Sequence, residues 1–330
     1  MSYPAANTRF DNFMGSSHTI AQAIPRVSVV MTVHNGIAFL REAVQSVLAQ
    51  TYQDFEFIIV DDGSTDGTGA YLETLDDPRI KVLRQPQTGQ QVAAHRAILQ
   101  ASAPYIARMD SDDVASPQRL ELQVKFLDEN SGVGLVGSQI TRRGSTGSGL
   151  PSHFPTDHDS IVNDLLNNRH SMCNPATVFR RHLYLSIGGY WQHNIAEDWD
   201  LFLRLAEVSK LANLDQTLLS YRFHTGSING RRIVEAQLYN EYAAELARRR
   251  QRKEPTISYQ EFFKNHRTHR FPSGILFRLD CYSIAQYRRG VAAIHSGKPI
   301  SGAMRVLFST ICSPSRLVRR VKPYMTWKTS

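Results

Sequence analysis

The first half of the chain alternates short apolar runs with stretches in which apolar residues recur every three or four positions. Val27–Val33 reads VSVVMTV, a β-branched run typical of a strand buried on both faces. The apolar residues of Phe39–Gln50 recur at i, i+3, i+4, i+7 and i+8, which predicts an amphipathic helix. The same pattern predicts strands over Phe55–Val60, Ile80–Leu83 and Tyr105–Met109, and helices over Thr68–Leu75 and Gln90–Ala101. This alternation indicates βαβ units and a mainly parallel central sheet flanked by helices.

The pattern is less regular in the rest of the chain. Gly, Ser and Pro are frequent in Arg142–Pro155, which predicts a loop or a mobile lid. The remaining apolar patterns predict helices over Pro117–Asn130, Asp159–Asn168 and Arg231–Arg252, and strands over Gly134–Ile140 and Ala176–Phe179.

Carboxylates follow directly after two of the predicted strands. Asp61 and Asp62 end the second strand, and Asp110, Asp112 and Asp113 crowd the end of the fourth. Ligands of parallel sheets bind beyond the carboxyl ends of the strands, so we expect these side chains to share a crevice. Three carboxylates this close raise each other's pKa unless a cation is bound, and their hard oxygens suit Mg²⁺ or Mn²⁺. An acidic turn that caps the next helix is the alternative interpretation.

The stretch AEDWDLFLRL adds a second acidic pair, Glu197 and Asp198. Apolar residues follow Asp198 at i+3, i+4 and i+7, so Asp198 begins a helix on its inward face. A helix cap is the alternative interpretation of Asp198. Asp200 and Arg204, spaced i and i+4 on another face, predict a structural ion pair.

Composition excludes several classes of protein. The 330 residues are 42% hydrophobic and 21% charged, which is ordinary for a soluble globular protein. Three widely spaced cysteines without a C-x-x-C motif argue against a disulfide framework or a zinc site. The N-terminus lacks the pattern of a signal peptide, and no run reaches the ~18 apolar residues that span a bilayer. We therefore expect a cytoplasmic protein.

The net charge of +8 is unevenly distributed along the chain. Residues 1–230 hold 18 Lys+Arg and 24 Asp+Glu, giving −6, whereas residues 231–330 hold 20 Lys+Arg and 6 Asp+Glu, giving +14. We therefore predict a loosely ordered extension at 1–24, an acidic catalytic domain at 25–230 and a basic, mostly helical region at 231–330.

The basic region suggests a partner of opposite charge. Ala303–Ile311 is apolar but too short to cross a membrane. The following cations alternate with apolar and aromatic residues, and they are Arg316, Arg319, Arg320 and Lys322. Such a mixture suits an anionic membrane surface, at ~1 kcal/mol per cation near the headgroups. We predict peripheral contact with the inner face of the cell membrane, with a solvated tail or a subunit contact as the alternative.

With these pieces placed, the chain resembles the family 2 glycosyltransferases of the GT-A fold over about residues 26–225. The matching segments come in the family's order: VSVVMTVHNG, FLREAVQSVLAQTYQDFEFIIVDDGSTDGT, YIARMDSDD, NPATVFRR, GGY, EDWDLFLRL and YRFHTGS. The Q-x-x-R-W motif of processive members does not follow the EDWD segment. The resemblance is therefore to enzymes that add one or a few sugars.

The resemblance implies a metal-dependent, inverting transfer from a nucleotide-sugar donor, expected to be a UDP-hexose, to a hydroxyl of a glycan or lipid-linked acceptor. It implies that Asp198 is the general base, that Asp62 contacts the nucleotide base and that Asp110 lies near the ribose. The full set implied to bind the donor is Thr32, His34, Asn35, Asp61, Asp62, Asp110 and Ser111. The residues implied to bind Mn²⁺ or Mg²⁺ are Asp112 and His224. Those implied to contact the acceptor are Asn174, Gly189, Tyr190, Trp191 and Glu197.

Two other functions compete with this interpretation. A nucleotidyltransferase also uses an α/β nucleotide fold and paired carboxylates, but it usually carries a glycine-rich loop, and VHNGIAF offers only Gly36. A nucleic-acid-binding protein would explain the +14 region, although the acidic crevice would repel that ligand. We therefore expect no nucleic-acid partner. The segment Gln87–Arg96 departs from the family's pattern, which leaves its contacts open.

Overall fold

A mixed sheet of nine strands forms the centre of the part that the computed structural model describes, residues 24–143, 149–191, 196–222, 233–266, 272–295 and 298–312. Its strands are Val27–Val33 (β1), Phe55–Asp62 (β2), Ile80–Gln85 (β3), Tyr105–Asp110 (β4), Val114–Ala115 (β5), Val133–Arg143 (β6), Gly149–Pro151 (β7), Val178–Arg180 (β8) and Lys210–Arg222 (β9).

Helices flank this sheet and also form the described part of the C-terminal region. They are Ile37–Leu48 (α1), Thr68–Glu73 (α2), Gln90–Gln100 (α3), Arg119–Glu129 (α4), His158–Leu166 (α5), Arg181–Ser186 (α6), Glu197–Val208 (α7), Ile233–Gln251 (α8), Tyr259–Asn265 (α9), Ser273–His295 (α10) and Pro299–Cys312 (α11). The predicted α/β architecture with a helical C-terminal region is confirmed. The predicted extension at 1–24 lies almost entirely outside the described residues.

The sheet is curled, and the curl brings distant strands to one place. Its strand order is β3-β2-β1-β4-β8-β6-β9-β5, with β7 paired to β6. Strands β1 to β4 are parallel, as their helical crossovers require, whereas β8 runs antiparallel to β4 and β6. Residues 111–113 connect β4 to β5, four places along this order. A connection of this length spans at most about 14 Å, whereas four strand spacings in a flat sheet measure about 19 Å. The sheet must therefore curl so that β5 can pair with β9.

The two faces of the sheet are covered by separate apolar cores. On β1, Val29 and Met31 point into a core that also contains Leu40 of α1, because successive side chains of a strand point to opposite faces. Val30 points the other way, into a core shared with Phe202 of α7. Sites at the carboxyl ends of the parallel strands therefore stand on a scaffold packed from both sides.

The prediction of a loop or lid over Arg142–Pro155 is wrong for part of that segment. Arg142 and Arg143 belong to β6, and Gly149–Pro151 forms β7, which pairs antiparallel with them. Residues 144–148 lie outside the described residues, and residues 152–155 have no regular structure. Backbone pairing prevails here over turn-forming composition.

The C-terminal helices pack on the catalytic body through α8. Ala243, Ala244 and Ala247 of α8 are buried in the core that contains Phe202. Helix α10 in turn packs on α8, and α11 packs on α10. None of the described helices is both long enough and apolar enough to cross a membrane.

Candidate active site

The carboxyl ends of β1, β2 and β4 bring the first set of predicted site residues together. In the parallel registers, Thr32 aligns with Asp110 and Val33 aligns with Asp61. Thr32 is 7% exposed, and the buried Asp61 carboxylate accepts a 3.0 Å hydrogen bond from the amide N–H of Ser64. The strand ends therefore bring Thr32, Asp61 and Asp110 to the same edge of the sheet.

The loop after β1 is held against the loop after β2 by hydrogen bonds. Asn35 has a φ of 53°, a left-handed conformation that Asn tolerates better than most residues. Its amide N–H donates to Ser64 Oγ at 3.0 Å, and its side-chain Oδ1 accepts from the amide N–H of Thr65 at 2.7 Å. His34 Nδ1 lies 2.9 Å from the carbonyl oxygen of Asp62. His34 and Asn35 are thus held beside the loop after β2 and are exposed to solvent.

The Asp62 carboxylate is engaged by the segment between β3 and α3. Its Oδ1 accepts hydrogen bonds from Gln85 Nε2 at 2.7 Å and from the Thr88 amide at 2.9 Å, and its Oδ2 accepts from the Gly89 amide at 2.8 Å. Burial raises the pKa of Asp62, but these donors outweigh it and hold the pKa below its usual range. The expected contact of Asp62 with a nucleotide base stays a prediction.

Three carboxylates form an acidic cluster between β4 and β5. Asp110, Asp112 and Asp113 each offer a carboxylate oxygen within 4.8 Å of the others. Asp113 is fully buried; its Oδ1 accepts the amide N–H of Arg222 at 2.8 Å, and its Oδ2 has no hydrogen-bond partner among the described residues. A buried carboxylate oxygen without a partner is costly unless an ion or a proton satisfies it. This donor set fits a hard divalent cation such as Mg²⁺ or Mn²⁺. Ser111 lies within the same loop.

The pKa of Asp110 depends on burial and on charges from its own loop and from α7. The pKa of Asp110 is raised to about 6, chiefly by burial; the cation of Arg108 opposes this rise, and the charges of Asp112 and Asp198 add to it. The side-chain amide of Gln90, at the start of α3, donates to Asp110 Oδ1 at 3.2 Å. The influence of Asp198 on the pKa of Asp110 indicates that the first turn of α7 lies near the end of β4.

A buried arginine lies behind these carboxylates. The Arg108 side chain is 1% exposed, its Nη1 donates to the Val30 carbonyl at 3.0 Å, and its Nη2 lies 3.7 Å from Asp110 Oδ1. Its positive charge also opposes the rise that burial causes in the pKa of Glu197 and of Asp198. Arg108 was not among the site residues predicted from the sequence. A charged side chain in a strand that is buried on both faces could have indicated it, because a buried cation needs a partner of opposite charge.

Helix α7 presents Glu197 and Asp198 in its first turn. Ala196 is the cap residue, with a left-handed φ of 57°, so Asp198 is not the cap. The Asp198 carboxylate accepts the amide N–H of Trp199 at 2.8 Å. Burial raises the pKa of Asp198 above its usual range. Burial also raises the pKa of Glu197 to about 7, and the neighbouring Asp198 charge adds to this rise.

The turn that carries Gly189 and Tyr190 is anchored to α7. Arg204 Nη1 donates to the Ile187 carbonyl at 2.7 Å, and Nη2 donates to the Gly189 carbonyl at 2.6 Å. Arg204 Nε also donates to Asp200 at 2.7 Å, which confirms the predicted ion pair. Burial raises the pKa of Tyr190 to about 12, and its hydroxyl has no hydrogen-bond partner among the described residues. A polar group of this kind is suited to a ligand.

The other predicted acceptor residues lie beside this turn or next to β8. Trp191 packs on two tyrosines of α8, with ring centroids 6.1 Å from Tyr239 and 5.8 Å from Tyr242. Asn174 begins a single 3₁₀ turn before β8 and is 8% exposed. Its Oδ1 is buried without a hydrogen-bond partner among the described residues.

Two polar contacts to the acidic loop were missed from the sequence. Arg222 at the end of β9 donates from Nε to the Asp112 carbonyl at 2.8 Å, and its Nη2 lies 2.5 Å from Glu42 Oε2. Gln90 contacts Asp110, as described above. Neither contact has a local signature, because each joins residues far apart in the chain. His224, predicted as a metal ligand, lies outside the described residues.

Comparison with known proteins places the chain among glycosyltransferases. The family model for glycosyl transferase family 2 matches residues 28–188. The chain is 32% identical to the Escherichia coli O-antigen biosynthesis glycosyltransferase WbnJ over 209 residues, which cover 61% of this chain and 81% of that protein. It is 29% identical over 216 residues to an uncharacterized glycosyltransferase of Haemophilus influenzae. That match covers 61% of this chain and just under two thirds, 66%, of the Haemophilus protein.

Solved structures show the same fold. S. aureus TarS 1-349 in complex with UDP-GlcNAc superposes with a TM-score of 0.59 at 16% identity, covering 88% of this chain and 92% of that chain. The mannosyltransferase PcManGT from Pyrobaculum calidifontis, in complex with GDP-Man and Mn²⁺, superposes with a TM-score of 0.51 at 17% identity. The superposition covers 87% of this chain and 88% of that chain. Identities this low show a common fold and carry no residue roles.

Proposed function

The chain belongs to glycosyltransferase family 2 and has the GT-A fold, and from this premise we propose that it transfers a hexose from a UDP-hexose to an acceptor hydroxyl. The proposed reaction is metal-dependent and inverting. One observation carries the proposal: Asp110, Asp112 and Asp113 each offer a carboxylate oxygen within 4.8 Å of the others, and β4, which Asp110 ends, lies next to β1 in the parallel part of the sheet. A site that holds a metal and a diphosphate beyond the strand ends needs this arrangement.

The donor is proposed to bind at the ends of β1, β2 and β4. His34 and Asn35 are held there beside the loop after β2, and Thr32 and Asp61 lie at the strand ends. Asp62 and Ser111 complete the proposed set, with Asp62 contacting the nucleotide base and Asp110 lying near the ribose. TarS was solved with UDP-GlcNAc, which favours a UDP-sugar, whereas PcManGT was solved with GDP-Man. The nucleotide is therefore the first thing to test.

The leaving diphosphate needs positive charge in a site from which water is largely excluded. Asp112, with Asp110 and Asp113, would hold Mn²⁺ or Mg²⁺, and the resemblance adds His224 to this set. A bound divalent cation would neutralise the negative charge that develops on the diphosphate. Within the protein, Arg222 fixes the loop that carries these carboxylates through its hydrogen bonds to Asp112 and Asp113.

Asp198 is proposed to take the proton from the acceptor hydroxyl. The acceptor oxygen then forms a bond to the anomeric carbon as the bond to the diphosphate oxygen breaks, and the nucleoside diphosphate leaves with the electron pair. One displacement inverts the configuration at that carbon. Burial raises the pKa of Asp198, and a stronger base accepts this proton more readily.

The acceptor is proposed to be a glycan or a lipid-linked glycan. Asn174, Gly189, Tyr190, Trp191 and Glu197 would contact it, and two of these carry buried polar atoms without a partner among the described residues. The relative WbnJ is named for O-antigen biosynthesis, which favours such an acceptor. Contact of the basic C-terminal region with the inner face of the membrane is part of the proposal.

A thermal-shift panel tests donor and metal together. UDP-, GDP- and dTDP-sugars are each added with Mn²⁺ or with EDTA, and the unfolding temperature is measured. A ligand at 100 times its dissociation constant stabilises by about 2.7 kcal/mol, so a true donor gives a clear shift. We expect the largest shift from a UDP-sugar with Mn²⁺ and little shift in EDTA.

Two variants complete the test. Asp112→Asn should lose the Mn²⁺-dependent shift, whereas Asp215→Asn, an exposed position on β9, should keep it. Equal shifts with Mn²⁺ and with EDTA would contradict metal dependence. Failure of every nucleotide-sugar to stabilise the protein would contradict the proposed function.

A further inference from the structure

An exposed apolar stripe runs along the outer face of α11. Its residues are spaced i, i+4, i+7 and i+11 and are Ile300 (78% exposed), Met304 (68%), Leu307 (64%) and Ile311 (67%). This spacing places all four on one side of the helix. Soluble proteins rarely leave a contiguous apolar face of this kind in water unless it contacts something else.

The opposite face of α11 is already occupied by α10. A Cβ added at Gly302 would lie 2.6 Å from the Gly290 carbonyl oxygen, so the two helices touch through their backbones. Ser283 Oγ donates to the Ser309 carbonyl at 2.7 Å, and both serines are fully buried. The contact with α10 therefore fixes α11 with the apolar stripe facing outwards.

The stripe is not a displaced part of the main core. Helix α10 uses a separate face, with Phe277, Cys281 and Ile284, to pack on Ile233 and Leu238 of α8. Helix α11 thus forms an outer layer on α10, and the stripe stays exposed among the described residues.

The apolar area extends onto α10 beside the stripe. The ring of Phe308 contacts that of Tyr282 edge-on at 6.1 Å, and these side chains are about half exposed. This contact continues the apolar surface of α11 onto α10.

The charge of the sequence that contains α11 indicates what covers the stripe. Residues 281–330 contain nine Lys and Arg and no Asp or Glu. A second copy of the chain docked on the same stripe would bring two such basic segments together, and like charges repel. Anionic lipid headgroups offer the complementary charge together with an apolar layer beneath it.

We propose that α11 lies in the interface of an anionic membrane, with Ile300, Met304, Leu307 and Ile311 turned towards the acyl chains. The helix has 14 residues, a length of about 21 Å, which suits a helix lying along the surface. The sequence alone assigned membrane contact to the cations after residue 312, whereas the structure assigns the apolar anchor to α11. This inference rests on the membrane contact included in the proposed function, but not on the transfer reaction.

Vesicle flotation of the full chain tests the proposal. Vesicles of phosphatidylcholine alone are compared with vesicles that also contain phosphatidylglycerol. We expect the wild-type protein to float with the anionic vesicles and Leu307→Ser/Ile311→Ser to lower its partition coefficient ~tenfold or more. Val208→Ser, at the end of α7 and 52% exposed, is the matched control and should float like the wild type.

A second set of variants separates the apolar anchor from the charges. Arg316→Gln/Arg319→Gln/Arg320→Gln should weaken binding to anionic vesicles and reduce its dependence on salt. Ile300→Ser replaces the double variant if the latter fails to unfold cooperatively. The donor-induced thermal shift, measured on each variant, reports the proposed function independently of flotation.

Three outcomes would overturn the proposal. The wild-type protein could fail to float with anionic vesicles, or the serine variants could float as well as it does. In the third, light scattering shows a wild-type dimer that the serine variants abolish while flotation is unchanged. That result would identify a second copy of the chain as the occupant of the stripe.

Discussion

Asp198 is the residue at which binding and chemistry should separate most clearly. Asp198→Asn removes the proposed base but keeps the shape of the side chain and its acceptor oxygen for the Trp199 amide. We expect transfer to fall by ~10²-fold or more, while nucleotide-sugar with Mn²⁺ still stabilises the variant. Product formation measured beside thermal shift distinguishes the two effects. Near-normal turnover in this variant would remove Asp198 from the base role.

Glu197 should make the stability of the metal-free protein depend on pH. Burial raises the pKa of Glu197 to about 7 from a model-peptide value of 4.5, so the folded state binds this proton more tightly than the unfolded state. The contribution of Glu197 to the free energy of unfolding should therefore be largest below about pH 4.5 and fall as the pH rises through about 7. Glu197→Gln should lessen that fall by on the order of 2 kcal/mol.

Urea unfolding at about pH 5 and about pH 8, in EDTA, measures this effect. Other buried carboxylates contribute to the decline in both proteins, so the difference between the two declines reports Glu197. Parallel declines in the wild type and in Glu197→Gln would show that Glu197 has an ordinary pKa.

The sequence identified the carboxylates of the site but not the arginines that contact them or oppose their charge. Arg108 lies 78 residues from the Val30 carbonyl that it contacts, and Arg222 lies 109 residues from Asp113. The spacing of neighbouring residues in the sequence does not indicate contacts between residues this far apart. That Asp198 and Asp110 belong to one site was expected only because the motifs resembled those of a known family.

Among the structural elements, the turn at Gly189 depends most on one side chain. Arg204 holds two carbonyls of this turn and pairs with Asp200, which is 2% exposed. Arg204→Gln leaves a buried carboxylate unpaired, so we expect the free energy of unfolding to fall by about 3–5 kcal/mol. Chemical denaturation of the wild type and of Arg204→Gln measures this difference in the free energy of unfolding.

A double-mutant cycle isolates the ion pair. Asp200→Asn/Arg204→Gln should cost less than the sum of the two single changes, because neither charge is then left alone. Additive costs would mean that Arg204 acts only through the two carbonyls.

The α10–α11 hairpin depends on glycine at the helix contact. A methyl group at Gly302 would meet the Gly290 carbonyl at 2.6 Å, whereas one at Gly132 has no atom within 4 Å. Gly302→Ala should therefore destabilise the hairpin by about 1–3 kcal/mol, and Gly132→Ala should not. Hydrogen exchange of α11 amides reports this locally, and equal protection in the two variants would contradict the contact.

Elements with a clear period were predicted from the sequence, and very short ones were not. Val27–Val33 was predicted with its observed bounds, because a run of β-branched residues is a local signal. Strands β5 and β7 have two and three residues, too few to show any alternation. They form because β9 and β6 offer free edges, which only the folded sheet supplies.

At the scale of the whole molecule, α8 joins the C-terminal region to the catalytic body. Ala243, Ala244 and Ala247 are at most 1% exposed in the core that contains Phe202. A chain ending at residue 230 should therefore lose cooperative thermal unfolding, because that core would open to water. A chain ending at residue 266 keeps this face and should unfold cooperatively.

Circular dichroism melts of the two truncated chains test this expectation. They also test the predicted domain boundary at residue 230, which was placed where the charge changes sign. A cooperative melt of the chain ending at 230 would support that boundary. Charge sets what a surface attracts, but buried area decides which segments fold together.

The arginine in β4 has a consequence for the working cycle of the pocket. A guanidinium keeps its proton at any pH at which the protein is folded, so Arg108 is a resident counter-ion for the surrounding carboxylates. Their mutual repulsion is therefore partly cancelled even when no charged molecule is present. The empty pocket need not spread apart after product departs, and the next donor meets walls that are already in position.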